Sequence, residues 1–170
     1  MAMFTPNFRF DEMRRFHYVE EVPMALHCHH YLGGFFKMVD QNTYIDGKKI
    51  MYDSAEKTIK NHLTIYFQNN PAINTDKDKL SVGADAVRKF GFGTLDLSEV
   101  NETGGTVKAP TSHVAKILSN KLGGSSGVGN ILTAGLIAGI LASVYKRRFK
   151  VTEEQAFVNN SDMFIFKAEV

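Results

Sequence analysis

The strongest constraint on the fold is an almost uninterrupted apolar stretch near the C-terminus, residues 130–145. Small residues recur through it and would let another backbone approach closely: Ala134, Gly135, Ala138, Gly139 and Ala142. A bilayer span needs about 20 apolar residues, and here a basic segment follows directly at 146–148. A short helix that is apolar on every side is typical of a buried central element. We therefore expect a helix at the centre of the fold and no membrane span.

The bulk composition is that of an ordinary globular protein. At 170 residues without internal repeats, the chain has the length of one domain that buries about two-thirds of its unfolded surface. A net charge of +2 and dispersed aromatic residues give no indication of nucleic-acid binding. The single cysteine excludes an internal disulfide, and the N-terminus has no secretion-signal pattern. These features predict one cytoplasmic domain over residues 1–170.

Turn and capping signals place helices in the first half of the chain. Pro23 suits a helix start, and helical periodicity continues from residue 24 to 41. A second helix is expected over residues 52–68, with Asp53 or Ser54 as its N-cap. A third, shorter helix is expected over residues 76–90. Residues 1–22 are expected to form an N-terminal arm, as an edge strand or a dimer contact.

The second half of the chain contains strand-like segments around turn signals. Residues 92–100 and 106–109 flank Gly104-Gly105, and residues 149–159 and 163–170 flank a polar turn, so two hairpins are predicted. Thr111 or Ser112 would cap a helix between the hairpins. The sequence therefore predicts an α+β fold. A mainly antiparallel sheet from the C-terminal half packs against helices from the N-terminal half and against the long Gly/Ala-rich helix.

Residues 106–170 resemble the 4-vinyl reductase domain family, whose fold is shared with subunits of vesicle-tethering transport particles. The similarity rests on a strand before Ser112-His113, a helix after it, the Ala134 to Gly139 core of the long helix, and a closing hairpin that ends at Phe164-Ile165-Phe166. The resemblance implies a pocket for a small apolar molecule between helices and sheet, a sensory role in some members, and a homodimer. Reductase activity is not inherited with the fold, because fold does not imply function.

The chain departs from that family at its metal site. Many relatives have zinc-binding cysteines at positions that align here with Asn130, Ala156 and Phe164. None of these side chains supplies a thiolate, so we expect no zinc site. Apolar packing would then hold the corner of the closing hairpin that the metal holds in relatives.

The densest reactive chemistry is the segment His27-Cys28-His29-His30-Tyr31. On a helix, the apolar face of this region is formed by Ala25, Leu32, Phe36 and Val39, with Cys28 and His29 on its flanks. Three interpretations remain open. The histidines and Cys28 are ordinary wall and surface residues, or Cys28, His29 and Tyr31 face a ligand cavity, or the cluster binds a metal or haem. The cofactor, if any, is unknown from sequence.

We predict a domain that binds or senses a small apolar or amphipathic ligand. The candidate ligand-binding residues are Cys28, His29, Tyr31, Ser112, His113 and Asn130. The alternative is an enzyme of hydrolase or reductase type, acting on a small cyclic or tetrapyrrole-like substrate with His29 or His113 as its base. A third hypothesis is an interaction subunit without a bound ligand. The sequence assigns no catalytic residue.

Overall fold

The computed structural model describes residues 2–14, 16–19, 22–24, 29–112, 128–155 and 163–170. Within these ranges the chain forms four helices and seven strands. The helices are α1 (His29–Gln41), α2 (Gly47–Asn69), α3 (Asp76–Lys89) and α4 (Val128–Tyr145). The strands are β1 (Phe8–Asp11), β2 (Phe16–Val19), β3 (Val22–Met24), β4 (Gly93–Asn101), β5 (Gly104–Ser112), β6 (Lys150–Gln155) and β7 (Phe164–Glu169).

The strands form two antiparallel sheets, which confirms the predicted α+β class. The larger sheet comes from the C-terminal half in the order β4-β5-β7-β6, and the smaller is β1-β2-β3. Strands β6 and β7 pair from Lys150 opposite Glu169 to Gln155 opposite Ile165. The predicted closing hairpin is therefore confirmed in its strands, and its turn lies outside the described residues. The segment predicted to be an N-terminal arm contributes the strands of this smaller sheet.

Helix α4 is the buried central helix that the sequence predicts. Every residue from Thr133 to Val144 is buried. A Cβ atom on Gly135 would lie 2.9 Å from that of Ala55, and one on Gly139 would overlap the Glu56 carbonyl oxygen and Ile59. Helices α2 and α4 therefore approach so closely that only glycine fits at these two positions. Among the described residues, no helix is long and apolar enough to cross a membrane.

Two helix starts differ from the sequence-based expectation. Pro23 lies in β3 opposite Tyr18, and the described helix α1 is His29–Gln41. Proline is tolerated there because β3 is an edge strand that needs no donor from it. Helix α2 begins at Gly47, and the Asp46 carboxylate caps it by accepting from the Lys49 N–H at 2.9 Å. Asp53 and Ser54 are consequently internal to α2 and cap nothing.

The other helix predictions agree with the structure. Helix α2 buries one apolar stripe: Ala55, Ile59, Leu63, Tyr66 and Phe67. Helix α3 begins after its N-cap Thr75, which accepts from the Asp78 N–H. The helix expected after Ser112 lies outside the described residues, and Ser112 itself is the last residue of β5.

Tyr52 joins α2 to the first residues of the closing hairpin. Its hydroxyl accepts from the Val151 N–H at 3.0 Å and donates to the Phe149 carbonyl oxygen at 3.4 Å. Burial raises the pKa of this phenol, so it stays protonated and able to donate. The two bonds fix β6 against α2 and hold Glu153, two residues further along, beside the start of α4.

Candidate functional site

A buried polar pair lies where α4 begins. The Asn130 amide nitrogen Nδ2 donates to both carboxylate oxygens of Glu153, at 2.7 Å to Oε1 and 2.8 Å to Oε2. Asn130 is in the first turn of α4 and only 7% exposed. Glu153 is half-buried in β6. This pair places a carboxylate and an amide at the edge of the apolar core, at the start of α4.

Local sequence explains why these two side chains meet. Residues of a strand alternate between its faces, so Glu153 shares a face with Val151, which is buried. That face of β6 packs towards α4, whose first turn includes Asn130. The hydrogen bonds from the Asn130 amide stabilise the ionised form of Glu153.

Burial has the opposite effect on Glu153. Desolvation raises the pKa of its carboxyl group, and the hydrogen bond from Asn130 lowers it, with desolvation the larger influence. The pKa consequently lies above the ordinary value for glutamate, about 4.3. A carboxylate kept in such surroundings is a strong acceptor for any donor that reaches it.

The oxygen of the Asn130 amide has no hydrogen-bond partner among the described residues. An ionised carboxylate only accepts hydrogen bonds, so the amide must present its nitrogen to Glu153 and its oxygen elsewhere. No donor among the described residues reaches that oxygen, Oδ1, although it is buried. An unsatisfied buried acceptor costs free energy of about 1–3 kcal/mol. Such an atom is a natural contact for a bound molecule.

An apolar corner adjoins the start of α4. Phe36 of α1 and Met51 of α2 form a small cluster separate from the main core. Partly buried apolar side chains surround it and retain accessible surface: Leu32, Val39, Phe92, Ile131 and Leu132. Ile131 and Leu132 follow Asn130 directly in α4. Apolar surface and an unsatisfied acceptor therefore occur together at this end of the molecule.

The structure places only some of the residues predicted for the site. Asn130 is buried at the start of α4, as described. Tyr31 is 60% exposed on α1, on the face next to the one that packs. His29 begins α1 and Ser112 ends β5, but the surroundings of their side chains are not described. Cys28 and His113 lie outside the described residues, so the histidine-base and metal hypotheses remain predictions.

Two of the three positions that align with the zinc-binding cysteines of 4-vinyl reductase domains lie among the described residues. Asn130 contacts Glu153, and Phe164 is buried in the core at 2% exposed; Ala156 lies outside the described residues. Within the described ranges, no three His, Cys, Asp or Glu side chains group closely enough to hold a metal ion. In these ranges the corner is held by a hydrogen-bonded pair and by packing.

Sequence reasoning missed Glu153. The signal that would have found it is its register: in the strand that includes Val151 and Glu153, an acidic residue occupies an apolar-face position. A charged side chain on the buried face of a strand needs a partner. The partner is Asn130, which had been selected only by alignment with the family.

A separate cleft of about 1120 Å³ lies between α3 and β4. Its floor is formed by Leu80, Ala84, Leu97 and Tyr145, and its rim includes Arg88 and Asp96. None of the residues predicted for the ligand site lines it. Asp85 on the wall of the cleft forms ion pairs with Arg88 and Lys89. The charge of Asp85 is therefore paired within the protein.

Comparison with solved structures identifies similar folds. The phenol-responsive sensory domain of the transcription activator PoxR, solved with phenol, has a TM-score of 0.75 at 12% identity, covering 95% of this chain and 84% of that one. Trafficking protein particle complex subunit 3 from Naegleria fowleri, covalently bound to palmitic acid, has a TM-score of 0.52 at 11% identity, covering 83% and 93%. At such identities the likeness establishes the fold alone. No family model and no curated protein sequence matches.

Proposed function

We propose that this chain binds or senses a small apolar or amphipathic molecule at the start of α4. The observation that supports this most directly is the buried Asn130 with an unsatisfied Oδ1, next to accessible apolar surface. Ligand sites combine an apolar lining with a few fixed polar groups. Two proteins of similar fold were solved with phenol and with palmitic acid, and both of these molecules are largely apolar.

The finer assignments belong to the same proposal. Kinship with the 4-vinyl reductase domain family, organisation as one domain over residues 1–170, and a cytoplasmic location are retained from the sequence. The remaining wall of the site would come from Cys28, His29, Ser112 and His113.

We also propose that the protein is a homodimer through its N-terminal third. Among the residues that the structure describes, ten of the twelve exposed large hydrophobic side chains lie from Met3 to Ile50, and the other two are Ile65 and Val170. Single apolar side chains are normal on a protein surface, but a concentration of them in one part of the chain is typical of an interaction surface.

A second copy is the partner that the charges favour. Residues 1–50 contain six basic and six acidic residues, so two copies of this region do not repel each other. The same neutrality gives no attraction to an anionic membrane. Gly34 supports a close contact, since it lies on exposed α1 with nothing within 4 Å of its would-be Cβ. Glycine inside a helix costs about 1 kcal/mol relative to alanine, and no contact within the described chain requires it.

The function is tested by native mass spectrometry with elemental analysis on freshly purified protein. A bound organic molecule in stoichiometric amount is the expected result. Added phenol and 1-octanol should then raise the melting temperature of ligand-stripped protein, with a rise that grows with the logarithm of concentration above the Kd. Protein that purifies empty, and whose stability responds to neither compound, would contradict the proposal. Stoichiometric zinc or haem would move the site to the His27–His30 segment.

A further inference from the structure

The polar atoms at the start of α4 define what kind of head group a ligand can have. Asn130 Oδ1 is an acceptor, buried and without a donor among the described residues. The Glu153 carboxylate beside it also only accepts. The donor of the same amide, Asn130 Nδ2, is already bonded to both Glu153 oxygens. The site thus presents acceptors and negative charge.

We propose that Asn130 Oδ1 receives a hydrogen bond from the ligand, so that the site selects hydroxyl-bearing apolar molecules, of phenol or alcohol type, over carboxylic acids. This inference rests on the proposed function. A hydroxyl supplies the missing donor, which removes the cost of the unsatisfied amide oxygen. A ligand that lacks the donor leaves that cost in place, and sites built around such a bond discriminate strongly against it.

A carboxylic acid is disfavoured for two reasons. Near neutral pH it is ionised and has no donor to offer Oδ1. Its negative charge would also lie close to that of Glu153 in partly desolvated surroundings, where repulsion is screened less than in water.

Two sets of matched probes test the selectivity. Phenol, anisole and benzoate share an aromatic body, and 1-octanol, octyl methyl ether and octanoate share an alkyl chain. In each set only the first member donates a hydrogen bond at pH 8. Affinities are measured by calorimetry or by thermal shift on ligand-stripped protein. We expect the donor to bind at least about tenfold more tightly than its ether and its carboxylate.

Two variants connect the selectivity to the named atoms. Asn130→Thr keeps a donor for Glu153 but replaces Oδ1 by a methyl group, so the preference for hydroxyl over ether should fall to about twofold or less. Glu153→Gln removes the charge, so octanoate and benzoate should gain affinity by about tenfold. Asn69→Thr, on an exposed residue at the end of α2, is the matched control and should leave both preferences unchanged.

The outcomes separate the two proposals. If the ether or the carboxylate binds as tightly as the hydroxyl compound, the proposed selectivity is wrong. The proposed binding function would still stand. Unchanged selectivity in a folded Asn130→Thr variant also overturns it. If that variant does not fold, Glu153→Gln decides: no gain in carboxylate affinity counts against the inference. Absence of binding by all six probes contradicts the proposed function itself.

Discussion

Glu153 and Asn130 are single residues whose roles follow from burial. A carboxylate on the inner face of β6 loses hydration, and the amide of Asn130 replaces only part of it. The carboxyl pKa is therefore raised despite a two-pronged hydrogen bond at 2.7 and 2.8 Å. Desolvation exceeds the hydrogen-bond contribution here because only one donor group replaces several waters. This residue should make the stability of the fold depend on pH.

Glu153→Gln should remove that dependence. A raised pKa in the folded state means that the folded protein binds a proton more readily than the unfolded chain. The resulting stabilisation is fully present below the unfolded value, about 4.3, and is lost as pH rises through the folded value. The free energy of unfolding of the wild type minus that of Glu153→Gln should therefore fall with rising pH and then become constant.

Urea unfolding of both proteins at intervals from pH 4 to pH 8 measures this difference. Glu154→Gln is the control, because Glu154 is the exposed neighbour on the same strand. A difference that stays constant with pH, or rises with it, would contradict a desolvated Glu153. If the free-energy difference for Glu154→Gln depends on pH in the same way, the effect arises from the net charge of the protein and not from the burial of Glu153.

At the scale of elements, the contact between α2 and α4 organises the fold. Gly135 and Gly139 are spaced by four residues and lie on one face of α4, against Tyr52, Ala55, Glu56 and Ile59 of α2. The backbones are close enough that a methyl group cannot be inserted without moving one helix. Tyr52 in the same contact also bonds to Val151, so a shift of α2 would move β6 and Glu153 with it.

Gly139→Ala should destabilise the protein by about 1–3 kcal/mol, since overpacking a filled core forces backbone movement. Gly34→Ala is the matched substitution on α1, where the added methyl group meets nothing within 4 Å. It should stabilise the chain by about 0.5–1 kcal/mol through helix propensity. Chemical unfolding at low protein concentration measures both, and equal effects of the two substitutions would contradict the close approach of α2 and α4.

The elements that sequence predicts well are those with strong internal patterns. The buried α4, the stripe from Ala55 to Phe67 and the alternating strands β6 and β7 all follow from periodicity and composition. The starts of α1 and α2 do not, because Pro23 suits an edge strand as well as a helix start. Likewise Asp46-Gly47 suits an N-cap as well as a turn. Local chemistry left both choices open, and tertiary packing decided them.

The candidate site was less predictable than the elements. Asn130 was selected through a resemblance, but its partner Glu153 is 23 residues away, and only the register of β6 against α4 brings them together. Tyr31 was selected by its proximity to the histidines in sequence, and the packing of α1 leaves it exposed. Contacts between distant residues depend on topology, which periodicity within one segment does not specify.

At the scale of the whole molecule, apolar exposure is concentrated in one region. On α1, Leu32 and Phe36 pack inward, while Tyr31, Phe35 and Met38 form a neighbouring stripe that is 60%, 51% and 74% exposed. Their spacing of four and three residues places them along one line of the helix, with Gly34 beside them. A helix that packs with one stripe and exposes a second is well suited to contact another α1 across a two-fold axis.

Met38→Glu should weaken the proposed dimer at least about tenfold, or about 1.4 kcal/mol. The two-fold axis would bring two new carboxylates into one apolar interface, where each is desolvated and repels the other. The folded monomer should be little affected, because Met38 is 74% exposed. Sedimentation velocity over about 1–100 μM is the measurement, with the wild type expected near twice the chain mass of 19.0 kDa.

Val170→Glu is the matched control, since Val170 is 66% exposed and lies outside the N-terminal third. It should leave the association unchanged. A wild type that stays monomeric at 100 μM contradicts the dimer. A dimer disrupted by Val170→Glu but not by Met38→Glu places the interface elsewhere. Because α1 also borders the apolar corner beside Asn130, ligand and association should be coupled, and ligand-stripped protein should dimerise with a different affinity from ligand-bound protein.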